Sequence, residues 1–253
     1  MILTRQGNKT KIAKIINSYF PPHKTYIELF FGAGGMFFNK PTANNNICND
    51  YNGDVFNLWM QVKENKSELV YEIRQLPIHQ DLWKYYKKKH SDNPAIRAAI
   101  FLMYSNFGYM GKPDSLGVAA SQNYKASILN KMDDTLNKLS NVIFMNEDFR
   151  NVLPKIKYRS DNEKINALIY SDPPYLDTFN YKMKWNKQDT LDCMDITFNS
   201  GINAVMSEFD HKFILEEASR RKLNVIIIGE RQNMKNVRTE ILITNFKSNN
   251  KLF

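Results

Sequence analysis

The stretch that most constrains this chain is Ala167-Leu168-Ile169-Tyr170-Ser171-Asp172-Pro173-Pro174-Tyr175, an apolar run that stops in an acid, two prolines and a tyrosine. Prolines cannot donate to a strand ladder, so a short apolar run bounded by them predicts a buried parallel strand ending at the carboxyl edge of a sheet. Open α/β sheets bind ligands at that edge. A residue before proline is pushed toward extended backbone, which sets Asp172 and the Pro173 carbonyl on a stiff corner beside the flat ring of Tyr175.

Two acceptors next to an aromatic plate suit a planar nucleobase that carries an exocyclic amine. The amine's lone pair is delocalised into the ring, and acceptors placed around its N–H groups favour the rehybridised amine of a transition state. The bland alternative is a strand-to-loop turn with a buried tyrosine, and only the rest of the chain decides between them.

A second strand-and-loop unit supports the ligand reading. Tyr26 to Phe31 is strand-like by composition, and Gly32-Ala33-Gly34-Gly35 follows at once. The dinucleotide fingerprint G-x-G-x-x-G fails because Phe37 stands at the third glycine position. Asp50 closes the strand 46–50, where an acid bonds ribose hydroxyls in nucleoside-binding sheets. A cofactor of the adenosine type without a pyrophosphate fits this set. Upstream, Gly7-Asn8-Lys9-Thr10 is no P-loop, because Leu3 and Asn8 occupy the required glycine positions. It leads into a helix in which Ile12, Ile15, Ile16 and Tyr19 share one face. The strand Val142-Ile143-Phe144-Met145 runs into Asp148, another acid at the same edge and equally a helix N-cap.

Between these units the pattern turns helical, with helices expected at 54–64, 80–90, 94–104 and 122–139. Tyr104 to Pro113 is glycine-broken, aromatic and amide-bearing, the mixture of a surface that touches bases, whereas Lys84 and Lys87 to Lys89 read as a solvated face. Past the Asp172 corner, Lys182, Lys184, Trp185 and Lys187 form a basic aromatic loop able to close over a nucleic-acid strand. Strands follow at 204–207, 225–228 and 241–244, with a helix near 210–221, and the last two strands form an antiparallel pair at one sheet edge. The fold class is therefore α/β, a Rossmann-like, mostly parallel sheet built from 1–53 and 141–253, with a mainly helical insertion at 54–140.

A net charge of +9 over 253 residues points to a polyanionic partner. Cys48 and Cys193 lack metal-ligand spacing and read as reduced core thiols; no metal is expected. Neither a secretory leader nor a membrane-length apolar run is visible, so a cytoplasmic protein is expected.

Gly7-Asn8-Lys9, Glu28-Leu29-Phe30-Phe31-Gly32-Ala33-Gly34-Gly35, Asp50, Asp148-Phe149, Asp172-Pro173-Pro174-Tyr175 and the later Thr239 to Asn245 occur in an order that resembles the Dam-like DNA adenine-N6 methyltransferases. The resemblance implies a fold of the class I methyltransferase type and S-adenosylmethionine as cofactor. It implies that Gly7, Lys9, Glu28, Phe30, Gly32, Gly34, Asp50, Asp148, Phe149 and Asp172 surround that cofactor, with Asp50 on the ribose and Asp148 and Phe149 on the adenine. Asp172, Pro173, Pro174 and Tyr175 would receive a target adenine flipped out of double-stranded DNA. Asn106, Tyr109 and Lys112 fall in the corresponding recognition region, and Lys182, Lys184 and Trp185 are expected on the DNA; a monomer in solution is expected.

An activated methyl group needs alignment rather than a strong base, and His79 and His211 are read as structural. Alternatives are cytosine N4 of DNA, adenine N6 of RNA, or a binding protein without catalysis. Family likeness favours adenine, because serine more often precedes the prolines in the N4 group.

Overall fold

The computed structural model describes residues 1–79, 84, 91–108, 117, 123–176, 185–232 and 237–247. Seven strands form one sheet: β1 (Thr25–Glu28), β2 (Asn45–Asn49), β3 (Val142–Met145), β4 (Ala167–Ser171), β5 (Asn203–Phe209), β6 (Asn224–Gln232) and β7 (Val237–Thr244). Their order is β3-β2-β1-β4-β5-β7-β6. The first five run parallel, and β7 is antiparallel to both β5 and β6. The chain moves outward from β1 in one direction and resumes from β4 in the other, so a switch point opens between β1 and β4 at their carboxyl ends.

Side chains alternate across a strand, and here each alternate set meets its own helical layer. Tyr26, Leu168 and Tyr170 share a core with Leu58, Trp59, Leu69, Ala98 and Leu102; Ile27, Ile169 and Met206 share another with Cys193, Met194 and Ile214. The first layer holds α1 (Ala13–Ser18), α2 (Gly53–Glu64), α3 (Lys66–Gln75), α4 (Pro94–Phe107), α5 (Tyr124–Asn130) and α6 (Met132–Leu139). Between β3 and β4 lies the short α7 (Asp161–Ile165), and the second layer contains α8 (Lys187–Phe198) and α9 (Lys212–Arg220). Asn52 and Asn93 cap α2 and α4 by accepting from the first free N–H groups, and Pro94 sits where no donor is needed.

The Rossmann-like, mostly parallel sheet read from the sequence is present, and its last two strands are the expected antiparallel pair. Helix α4 continues to Phe107, so Tyr104, Ser105 and Asn106 are helical rather than part of a broken loop. The 122–139 segment is two helices parted at Lys131. Ile15 is 40% exposed, off the buried face of Ile16 and Tyr19. The helix expected at 80–90 lies, but for Lys84, outside the described residues. Helices α3 and α8 were not anticipated. Both are rich in polar residues, and each buries few apolar side chains against its neighbours. Cys48 and Cys193 are buried free thiols. No helix among the described residues is long and apolar enough to cross a membrane.

Candidate active site

The carboxyl ends of β3, β2, β1 and β4 lie side by side, and each delivers part of one site. After β1 the chain turns through Gly32 to Gly35. A Cβ on Gly34 would fall 2.6 Å from the Phe38 ring with φ at +72°, and one on Gly35 would fall 2.0 Å from Asn8 Oδ1. Only glycine permits this packing, which seats residues 7–10 against the loop. Asp50, after β2, grips the same loop. Its Oδ2 accepts from the Gly32 amide at 2.7 Å, and its Oδ1 accepts from the Asn52 amide at 2.9 Å. Burial raises the Asp50 carboxyl, opposed by the charge of Arg5 and by those two amides.

The corner after β4 is built around a buried cation. Lys9, 3% exposed, places Nζ 2.8 Å from Asp172 Oδ1, 3.3 Å from Glu240 Oε1 and 4.6 Å from the centre of the Tyr175 ring. The Tyr175 hydroxyl donates to Glu240, and its ring packs edge-on against Phe209 at 4.7 Å. Asp172 Oδ1 is buried and, beyond the ion pair with Lys9, has no hydrogen bond of good geometry. Burial raises the Asp172 carboxyl and Lys9 opposes that rise. Glu208, behind the corner, accepts from the Leu176 and Phe209 amides and is pushed well up by burial. Two carboxylates, Asp172 and Glu240, thus flank one ammonium, an environment that favours a cationic ligand.

On the other side of the switch point, two rings from strand ends meet a third from the start of a helix. Phe30 follows β1, Phe149 follows β3 and Trp185 precedes α8; their centroids lie 5.4 to 5.8 Å apart. Arg150 lies over the Phe149 ring at 4.4 Å and ties the cluster down through Asp148, Asp189 and Asp192, which hold its guanidinium ionised. Asp148 also caps the turn it starts by accepting from the Arg150 amide.

The structure brings together at this edge Gly7, Lys9, Phe30, Gly32, Gly34, Asp50, Asp148, Phe149, Asp172 and Tyr175, with Pro173 and Pro174 between the last two. Three residues differ from their sequence reading. Tyr175 is no open plate: it is 7% exposed, with Phe209 at its ring and Lys9 over its face. Asn106 spends its amide on structure, donating to the Ile2 and Leu102 carbonyls and accepting from the Thr4 hydroxyl, so that it pins the first residues to α4. Trp185 belongs to the aromatic cluster, its indole N–H donating to Thr190. Glu28 is buried behind the glycine loop and accepts from the Tyr26 hydroxyl. Tyr109, Lys112, Lys182 and Lys184 lie outside the described residues. Sequence reading missed Glu240, Phe209 and Arg150. Glu240 lies in the 239–245 stretch that carries the resemblance, but its partners Lys9 and Tyr175, like the Tyr175 partner of Phe209, are distant in sequence; Arg150 meets Asp148 and Phe149 locally and Asp189 and Asp192 only through the fold.

A mostly parallel sheet whose carboxyl edge gathers acids, aromatic rings and a glycine loop defines a Rossmann-like α/β protein with a candidate ligand site at its switch point. The comparisons sharpen the class: the model of the D12 class N6 adenine-specific DNA methyltransferase family matches residues 6–241, and the chain belongs to that family. It is 28% identical over 184 residues to a DNA adenine methylase of Haemophilus influenzae, 67% of this chain and 61% of that protein. To a DNA adenine methylase of Salmonella typhi it is 31% identical over 111 residues, 42% of this chain and 40% of that protein. The matched part therefore spans less than two thirds of these relatives' length. Among solved structures, an rRNA methylase of Streptococcus thermophilus superposes with a TM-score of 0.46 and 7% identity, covering 95% of this chain and 97% of that one.

Proposed function

We propose that this chain methylates the N6 amine of adenine in a specific sequence of double-stranded DNA, with S-adenosylmethionine as donor. The observation that carries the reading is the meeting, at one switch point, of a nucleoside-type edge (Asp50, Asp148 and the rings of Phe30 and Phe149) with the Asp172 corner. The residues suit such a cofactor. Asp50 faces the glycine loop as an acid for ribose hydroxyls, the aromatic cluster offers flat surfaces for an adenine, and the carboxylate excess favours a positive charge. Bound there, S-adenosylmethionine supplies a methyl group already activated on a sulfonium.

The protein's share is alignment and electrostatics. A target base must leave the duplex to reach a corner at the sheet edge. Asp172, half-buried and beside Lys9, serves as an acceptor for an N6 hydrogen, and the Pro173 carbonyl is the second acceptor. Burial raises the Asp172 carboxyl and the nearby ammonium opposes that rise, and because the methyl group is already activated the carboxylate need only accept a hydrogen bond that localises the amine's lone pair. The helices between β2 and β3 provide the recognition region, and the net charge of +9 provides affinity for the phosphate backbone.

Incubation with methyl-labelled S-adenosylmethionine and either duplex DNA, RNA or buffer, followed by digestion to nucleosides, tests this. Label in N6-methyladenine from DNA is expected. Label in N4-methylcytosine or only in RNA replaces the substrate, and no label from any of them replaces the reaction.

A further inference from the structure

The reaction proposed above needs the Asp172 corner held at a fixed angle, and the means of holding it lies on strands that belong to neither the cofactor edge nor the helical block. Phe209 on β5 and Glu240 on β7 are directly opposed in the antiparallel register. Both touch Tyr175: Phe209 packs its ring face to edge at 4.7 Å, and Glu240 accepts from its hydroxyl. The same Glu240 carboxylate lies 3.3 Å from Lys9 Nζ, which in turn lies 2.8 Å from Asp172 Oδ1. One cross-strand pair thus governs both working ends of the corner. It fixes the tyrosine through its ring and hydroxyl, and it fixes the aspartate through a shared ammonium.

Resting on that functional reading, we propose that Glu240 is a positioning residue for methyl transfer, acting through Tyr175 and Lys9 on Asp172, with Phe209 as its packing partner. Glu240 is 2% exposed, too enclosed to serve as a surface ion-pair partner, and a buried carboxylate is tolerated only where its partners are fixed. The carboxylate's two tasks are separable. Receiving the tyrosine hydroxyl needs an acceptor oxygen, whereas drawing Lys9 toward the corner needs negative charge. A glutamine keeps the first and loses the second.

The test compares Glu240→Gln, Tyr175→Phe and the double variant for turnover and for the KM of S-adenosylmethionine, with thermal melting of each as a check on folding. Expected are falls in kcat of about tenfold or more in each single variant, cofactor KM within about twofold of wild type, and a double variant no slower than the slower single, as for residues acting as one unit. The pH profile of Glu240→Gln should also shift, since Lys9 is then paired with Asp172 alone; a merely structural residue would move the melting temperature and leave the profile in place. Wild-type turnover with Glu240→Gln, or falls that multiply in the double variant, overturns the inference while the methyltransferase reading stands. A wild type that transfers no methyl group to DNA sinks both.

Discussion

Lys9 and Asp172 form an ion pair at 2.8 Å in which the lysine is almost wholly enclosed. Removing one partner of a buried pair leaves the other's charge uncompensated. Lys9→Met should therefore cost about 3–5 kcal/mol of stability. It should also raise the Asp172 carboxyl further, since Lys9 is what opposes its burial. Activity that needs the carboxylate is lost as pH falls through its pKa, so the acid limb of the pH–rate profile should move to higher pH. A limb that stays in place would mean that Asp172 is not the titrating group.

Glu28 gives a stability prediction with a definite sign. Burial pushes its carboxyl from 4.5 to about 8, opposed by the Tyr26 hydroxyl. Between those values the folded chain holds a proton that the unfolded chain has released, so stability declines as pH rises from 4.5 through about 8. Glu28→Gln keeps an acceptor for Tyr26 and escapes this decline. At neutral pH the variant should gain roughly 1–3 kcal/mol, each pKa unit being worth about 1.4 kcal/mol. Thermal melts at pH 5 and pH 7.5 should show the gap between variant and wild type widening at the higher pH; a constant gap refutes the account.

Asp50 holds the glycine loop through the Gly32 amide and, on the proposed function, the cofactor's ribose as well. Asp50→Ala should weaken S-adenosylmethionine binding by about 1.5–3 kcal/mol, the scale of a lost charged hydrogen bond. Calorimetry that returns wild-type affinity would remove Asp50 from the cofactor site.

Asn106 separates a structural role from a base-reading role. Its three hydrogen bonds, each 2.9 Å long, join α4 to Ile2 and Thr4 and fold back onto the Leu102 carbonyl of the same helix. Asn106→Ala should lower stability by about 1–3 kcal/mol, the cost of stranding part-buried partners, with sequence preference on DNA unchanged. A variant that melts like wild type but methylates a wider set of sequences would restore Asn106 to recognition.

The Asp172 corner, the glycine loop and the strand-end acids were legible because their signals are local: prolines after an apolar run, glycines after a strand, an acid at a strand's end. Strand composition placed the sheet for the same reason. Tyr175 was misjudged as an open plate because its burial depends on Phe209 and Glu240, which meet it only after β7 enters beside β5. Trp185 was assigned to DNA on the basic residues around it in sequence, yet its packing is set by Phe30 and Phe149, from the far side of the switch point. Asn106 was read from the glycine after it, but the helix continues through it and Gly108 only ends that helix.

Strand β7 follows every other strand in sequence and yet sits inside the sheet, laddered on one side to β5 and on the other to β6. A chain emerging residue by residue from a ribosome can pair β1 through β5 in turn, but β6 has no ladder to the sheet until β7 slides between it and β5. Glu240 arrives with that strand, so Lys9, made well before it, waits for the carboxylate that completes its pocket. A nascent chain stalled before residue 237 would carry all four residues from Asp172 to Tyr175 and lack the strand that holds the tyrosine and lysine in place.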